Sequence, residues 1–245
     1  MNKKELYCTI LAAGMGKRMK SNIPKVLHKV KNTLMIVKLI NEAVQLNPYK
    51  IIIVVGKYKN IIEETINKYI NISNIVYVFQ KEPMGTANAI LYTLNLLNDD
   101  CINLILNGDN PLISNKLMND AINNFIQNNN QIQLTAIDSD NSIKNNKIVF
   151  NNNNNKFYEK NEEKEIKLVN RSMYVISTTV LKQYIPFIKN NNIQKEYYLP
   201  DIVKVCSGTN ITIGLFKVDK DKEIELVNIN TKEELDRVNH ILKCK

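Results

Sequence analysis

Short apolar runs alternate with helix-spaced apolar stripes along the first 140 residues. Leu6 to Ala12 has the length of a strand and closes in Gly14-Met15-Gly16. Ile51 to Val55, Ile75 to Phe79, Ile102 to Leu106 and Ile132 to Ile137 are further runs of this kind. Between them, Ile61, Ile62, Ile66 and Ile70 share one helical face. Ala87, Ile90, Leu91, Leu94 and Leu97 form a second stripe, and Leu117, Met118, Ala121, Ile122, Phe125 and Ile126 a third. Unbroken apolar strands separated by amphipathic helices predict an α/β fold: a mostly parallel sheet with helices on both faces.

After residue 140 the rhythm changes. Lys147 to Phe150 and Lys156 to Glu159 read as strands flanking the Asn run 151–155, so a hairpin with a polar tip is expected. Ser172 to Ile176 is another strand, followed by a helix to about Ile188 and a loop at Asn190 to Asn192. Ile211 to Val218 and Glu225 to Val227 read as late strands. Thr231-Lys232-Glu233-Glu234 spells a capping box ahead of a final helix, with Leu235, Val238, Ile241 and Leu242 on its buried side. Without an internal repeat or a Pro/Ser-rich linker, 1–245 reads as one domain.

A length of 245 residues allows a substantial core. No apolar stretch approaches the length of a membrane span, and the N-terminus lacks a signal-peptide pattern. Cys8, Cys101, Cys206 and Cys244 stand singly, so neither a zinc site nor a disulfide framework is expected, and a cytoplasmic location fits. The net charge of +9 invites a nucleic-acid partner. Only Arg18, Arg171 and Arg237 among the 33 basic residues are Arg, however, and the Lys are scattered without interleaved aromatics. Abundant Lys, Asn and Ile also follow from A/T-rich codons. Neither nucleic acid nor membrane is the expected partner; a small anionic substrate suits the charge.

Two loops carry candidate chemistry. The first follows the first strand: Leu11-Ala-Ala-Gly14-Met-Gly16-Lys17-Arg18-Met19, then Ile23-Pro24-Lys25. Small residues at a strand's carboxyl end let backbone N–H groups approach a ligand. The dinucleotide fingerprint fails, because Met19 stands where its third Gly belongs, which argues against a NAD-linked dehydrogenase. The P-loop fails because Arg18 follows Gly16-Lys17. What remains is a tight turn carrying Lys17, Arg18 and Lys25, either phosphate-facing or merely solvated. The second loop, Asn107-Gly108-Asp109-Asn110-Pro111-Leu112, ends the fourth strand on the crevice side of an open sheet. A carboxylate there, opposite a cationic loop, suits a Mg²⁺-phosphate site; a plain turn before a helix starting at Ser114 is the alternative. His28 and His240 adjoin no Ser or Cys nucleophile, so packing or surface roles are expected.

The stretch from Leu11 to His28, ending Pro24-Lys-Val-Leu-His28, closely resembles the signature of sugar-1-phosphate nucleotidyltransferases. Its full form is similar to the uridyltransferase half of bacterial N-acetylglucosamine-1-phosphate uridyltransferases. Gln80-Lys-Glu-Pro-Met-Gly85-Thr86-Ala-Asn-Ala, Gly108-Asp109-Asn-Pro-Leu-Ile113, Glu196-Tyr-Tyr-Leu-Pro-Asp201 and Val227-Asn228 continue the resemblance in order.

The resemblance implies a Rossmann-like three-layer sandwich with a mixed, mostly parallel sheet, of the nucleotide-diphospho-sugar transferase (GT-A-like) type. It implies a nucleotide-binding part at 1–140, a sugar-binding part at 141–230 and a C-terminal helix at 231–245; unlike the bacterial bifunctional enzymes, no acetyltransferase β-helix is expected. Leu11, Ala12, Ala13, Gly14, Gly85 and Thr86 would hold the nucleoside, and Gln80 would read the pyrimidine edge. Lys25 and Arg18 would act on the triphosphate, and Asp109 and Asn228 would bind Mg²⁺. Asn107, Gly108, Glu159, Asn170, Glu196 and Tyr198 fall on the sugar side. The implied reaction joins UTP and N-acetylglucosamine 1-phosphate and releases pyrophosphate. Another sugar 1-phosphate, another pyrimidine nucleotide or a non-catalytic nucleotide-sugar sensor are the alternatives. The departures from the family lie on the sugar side: a lost Gly around Asn146-Lys147, a shorter loop ahead of Asn170, Asn170-Arg171-Ser172 in place of Asn-Thr/Ser-Gly, and Pro200 in place of Thr.

Overall fold

The computed structural model describes residues 4–138, 147–151, 156–158 and 168–243, with 147–151 and 156–158 described by their backbone. The chain runs β1 (Leu6–Ala12), β2 (Lys29–Val30), β3 (Thr33–Leu34), α1 (Met35–Val44), β4 (Lys50–Val55), α2 (Lys59–Tyr69) and β5 (Ile75–Phe79). It continues with α3 (Thr86–Leu91), β6 (Ile102–Asn107), α4 (Asn115–Gln127), β7 (Ile132–Asp138), β8 (Lys147–Asn151), β9 (Lys156–Tyr158) and β10 (Leu168–Ser177). It closes with α5 (Thr178–Tyr184), α6 (Ile202–Val205), β11 (Ile213–Lys217) and α7 (Lys232–Lys243).

The central strand order is β11-β7-β10-β6-β1-β4-β5. β1 lies parallel to β4 and β6, β4 to β5, and β7 to β11. β10 is antiparallel to both of its neighbours, β6 and β7, and carries the β8–β9 hairpin. Alternate strand residues face opposite layers. Cys8, Ile10, Ile53, Leu104 and Leu106 pack with α1, α2 and α4 on one face. Tyr7, Ile52, Ile105, Leu134 and Ile176 pack with α3, α5 and α6 on the other. This is the three-layer α/β sandwich that the runs and stripes predict. No helix among the described residues is long and apolar enough to cross a membrane.

Three segments differ from the expectations, the first being the Ala87–Leu97 stripe, which is broken because α3 ends at Leu91 and Leu94–Leu96 is a separate 3₁₀ turn. Glu225 to Val227 forms no strand; Lys220–Leu226 is a 3₁₀ turn. Glu225 accepts hydrogen bonds from the Ser114 N–H and Oγ at the start of α4, which draws the segment away from the sheet. α1 is not among the expected helices, although Ile36, Leu39, Ile40 and Ala43 recur at helical spacing and are buried while Lys38, Asn41 and Glu42 form the opposite, less buried side. Ile61, Leu91 and Ile126 lie at the margins of their stripes and are exposed. Ser114 caps α4 as expected, accepting from the Leu117 N–H.

Candidate active site

β1 and β6 are adjacent and parallel, so their carboxyl ends open at the same edge of the sheet. Beyond β1 the chain stays close to its neighbours. A Cβ on Gly56 would lie 2.8 Å from the Ala13 carbonyl oxygen. Gly16 has φ +62°, and a Cβ there would lie 2.7 Å from Lys25 Cβ. Glycine thus lets the loop fold onto Lys25. The turn Lys17–Met19 follows, and Met19 is buried with Val30, Met35, Ile229, Leu235 and Val238. The place of a third Gly is taken by an apolar anchor onto α7. Lys17 and Arg18 are exposed. Pro24 leads into the turn Lys25–Leu27, whose Val26 and Leu27 are buried while Lys25 keeps 15% of its side chain exposed.

At the end of β6 the Gly108 N–H donates to the Leu11 carbonyl at 2.9 Å. A Cβ on Gly108 would come within 3.1 Å of that oxygen and of Val26. Asp109 is buried between three partners. Lys25 Nζ donates to its Oδ2 at 2.5 Å, Asn228 Nδ2 donates to its Oδ1 at 3.1 Å, and the Ile229 N–H donates to its carbonyl at 2.9 Å. Asn230 joins this cluster: its Oδ1 accepts from Lys25 Nζ at 3.0 Å and from Arg18 Nη2 at 3.1 Å. Asn230 was missed in the motifs; its signal is the alternation Asn228-Ile229-Asn230, which puts the two amides on one side of an extended segment and Ile229 in the core.

The opposite wall joins two distant segments. Gln80 is buried, and its Nε2 donates to Asn88 Oδ1 at 2.6 Å and to the Gly85 carbonyl at 3.3 Å. Gly85 has φ +105°, and a Cβ there would lie 2.5 Å from the Tyr197 carbonyl oxygen. The Tyr197 N–H donates to Met84 O and the Ala87 N–H donates to Tyr197 O, both at 2.8 Å. Thr86 Oγ1 accepts from the Leu199 N–H at 2.9 Å. The Gln80–Thr86 and Glu196–Leu199 blocks are thereby zipped together.

Between these walls lies a cleft of about 430 Å³. Leu11, Ala12, Ala13 and Gly14 line it from the loop, Lys25, Asn107 and Asp109 from the sheet edge, and Gln80, Gly85, Thr86 and Glu196 from the far wall. Gly108 and Asn228 are not among the lining residues; Asn228 instead supports Asp109, and Arg18 connects to the cluster through Asn230. Asn170 is held on β10, where its Nδ2 donates to the Tyr174 hydroxyl at 3.0 Å. Asn170 Oδ1 is buried without a hydrogen-bond partner among the described residues. Tyr198 does not line the cleft; its phenol is pushed up by burial and by the nearby Glu196 and Asp201 carboxylates. Glu159, Asn146 and the loop ahead of Asn170 lie outside the described residues, and Lys147 is described by its backbone.

Among the described residues no three His, Cys, Asp or Glu side chains cluster as a self-sufficient metal cage. One buried carboxylate beside one amide is a small donor set. It fits a hard divalent cation that takes its remaining ligands from water and phosphate, once the Asn228 amide turns its oxygen inward.

A probable UDP-N-acetylglucosamine pyrophosphorylase of Acanthamoeba polyphaga mimivirus is 43% identical over 247 residues, spanning 98% of this chain and 97% of that protein. The bifunctional protein GlmU of Thermoanaerobacter pseudethanolicus is 31% identical over 97% of this chain, which spans 52% of that protein's length. In fold, the chain is similar to the 4-diphosphocytidyl-2C-methyl-D-erythritol synthase of Anaerococcus prevotii, with a TM-score of 0.68 at 17% identity over 98% of this chain and 99% of that one. Residues 8–207 match the nucleotidyl transferase family, and the chain belongs to it.

Proposed function

We propose that this chain transfers the uridylyl group of UTP to N-acetylglucosamine 1-phosphate, giving UDP-N-acetylglucosamine and pyrophosphate. The observation that carries the reading is the meeting of Lys25, Asp109 and Asn228 beside a backbone-lined glycine loop, at the shared end of β1 and β6. The mimiviral relative, matched over nearly its whole length, supports the choice of substrates. Residues 1–140 hold the nucleotide and 141–230 the sugar.

A sugar-phosphate oxygen attacks the α-phosphorus, the bond to the bridging oxygen breaks, and pyrophosphate leaves. The attacking oxygen is already anionic, so no general base is required. The barrier lies in bringing two polyanions together and in the charge on the transferring group, which positioned cations lower by proximity and electrostatics. Lys25 supplies one such cation and Arg18 another. Mg²⁺ held by Asp109 and Asn228 would neutralise phosphate charge when bound. Gly14 and its neighbours offer backbone N–H groups to the nucleotide.

Gln80 selects the base. Its Nε2 is committed to Asn88 and Gly85, which leaves the carbonyl as its remaining hydrogen-bonding group. An acceptor there suits the N3–H of uracil and opposes the N3 lone pair of cytosine. On the sugar side, buried Asn170 Oδ1 is an acceptor for a hydroxyl or acetamido N–H. A cytoplasmic location suits the free, buried thiols of Cys8, Cys101 and Cys206.

The test is pyrophosphate release from UTP, CTP, ATP and GTP with Mg²⁺ against the 1-phosphates of N-acetylglucosamine, glucosamine, glucose and galactose. UTP with N-acetylglucosamine 1-phosphate is expected to give the highest kcat/KM. A preference for glucose 1-phosphate would replace the sugar, and no release with any pair would favour a nucleotide-sugar sensor.

A further inference from the structure

We infer that Asn230 is a positioning residue that holds the Lys25 ammonium and the Arg18 guanidinium as one paired cation for a phosphate chain. The inference rests on the reading of the cleft as a nucleotidyl-transfer site. A Lys ammonium has three N–H donors. Among the described residues, Lys25 gives one to Asp109 and one to Asn230, so one remains for an oxygen in the cleft that Lys25 lines. The two fixed donors set the direction of the third.

Arg18 is the other claimant on Asn230 Oδ1. Two like charges bonded to one oxygen repel each other, and a neutral carbonyl dipole lessens that repulsion without cancelling either charge. Asn230 therefore adds no negative charge to the pair beyond that of Asp109, which already meets Lys25. A carboxylate at this position would make the same two hydrogen bonds but would compete with phosphate for both cations. The requirement is thus for an acceptor that is both correctly placed and uncharged.

The fold fixes Asn230 from both sides. Its backbone N–H donates to Glu234 Oε2 at 2.6 Å, within the capping box in which Thr231 N–H also meets Glu234 and Thr231 Oγ1 accepts from the Glu234 N–H. Its neighbour Ile229 is fully buried and bonds to the Asp109 backbone. The first turn of α7 is thereby connected to the phosphate end of the cleft, although no residue of that helix lines it.

The test measures inorganic pyrophosphate binding by calorimetry, together with Tm, for the full chain and for Asn230→Ala and Asn230→Asp. The Ala variant is expected to bind about tenfold more weakly, the effect of one hydrogen bond to a charged group. The Asp variant, which retains the shape and both hydrogen bonds, is expected to keep or raise Tm and yet bind at least tenfold more weakly (a penalty of about 1.4 kcal/mol or more). A merely structural Asn230 would be rescued by Asp. Wild-type affinity in either variant would overturn the inference, as would a wild-type chain that does not bind pyrophosphate. If the wild type binds pyrophosphate but turns over no sugar 1-phosphate, the proposed reaction fails while the affinities still decide the role of Asn230.

Discussion

Lys25 and Asn88 show how single side chains divide the work of the cleft. On the proposed reading Lys25 would stabilise charge on the transferring phosphoryl group, so Lys25→Ala is expected to lower kcat by about 10²–10³-fold, as for loss of one preorganised donor in other electrostatic sites. Circular dichroism should show the fold retained, and near-normal turnover would remove Lys25 from catalysis. Asn88 touches no expected ligand, yet it fixes which way the Gln80 amide faces. Asn88→Ala leaves only the longer bond to the Gly85 carbonyl to hold that amide, so the UTP:CTP ratio of kcat/KM is expected to fall, by up to about tenfold. An unchanged ratio would mean that the base is read elsewhere.

Elements carry these residues to one place, and Gly85 marks where two of them meet. With φ +105° and the Tyr197 backbone against its missing Cβ, Gly85→Ala should destabilise the protein by about 1–3 kcal/mol and loosen the far wall of the cleft. Chemical denaturation measures the first effect, and a rise in KM for both substrates the second. A variant with unaltered stability would show that the α3 start can shift away from Tyr197. The strands and most helices were legible because their periods are clean: all five early runs are strands, and Thr231–Glu234 forms the capping box it spells. α1 was not, although its apolar residues are helically spaced, because it follows β3 directly with no polar break to set it apart. The Glu225 segment was not, because a single carboxylate bonding to Ser114 outweighs a short β-prone run. In the site, the resemblance assigns Lys25 to the triphosphate and Asp109 to the metal but gives no role to Asn230 or Asn88, whose partners Lys25 and Gln80 appear in three dimensions. Nothing in the order of letters states that Asn88 faces Gln80.

At the scale of the whole molecule, buried protons set an alkaline limit to stability. Burial pushes the Cys8 thiol up to about 12 from 9.0 and the Tyr174 phenol up to about 12 from 10.0. The unfolded chain releases these protons at the ordinary values, while the folded chain still holds them. Their contribution is therefore complete below about pH 9 and is lost as pH rises from there through about 12. Guanidinium midpoints recorded from pH 8 to 11.5 are expected to be level at first and then fall steadily; a level profile throughout would show that these groups already contact solvent.

The strand order also imposes a sequence of events in time. β10 lies between β6 and β7, but a ribosome makes it after both. While only the first 138 residues have emerged, β1, β4, β5 and β6 can assemble, since each finds its neighbour among strands already made. β7 cannot: its partners are β10 and β11, both still to come. Ile132, Leu134 and Ala136 then form an orphan apolar strand during the interval needed to synthesise the hairpin and β10, a matter of seconds at about 5–20 residues per second. Nascent chains arrested near residue 140 should recruit chaperones and pellet readily, and chains arrested beyond α5 should lose most of that tendency. The antiparallel strand that closes the finished sheet is, during synthesis, the rate-setting delay before β7 has any shelter.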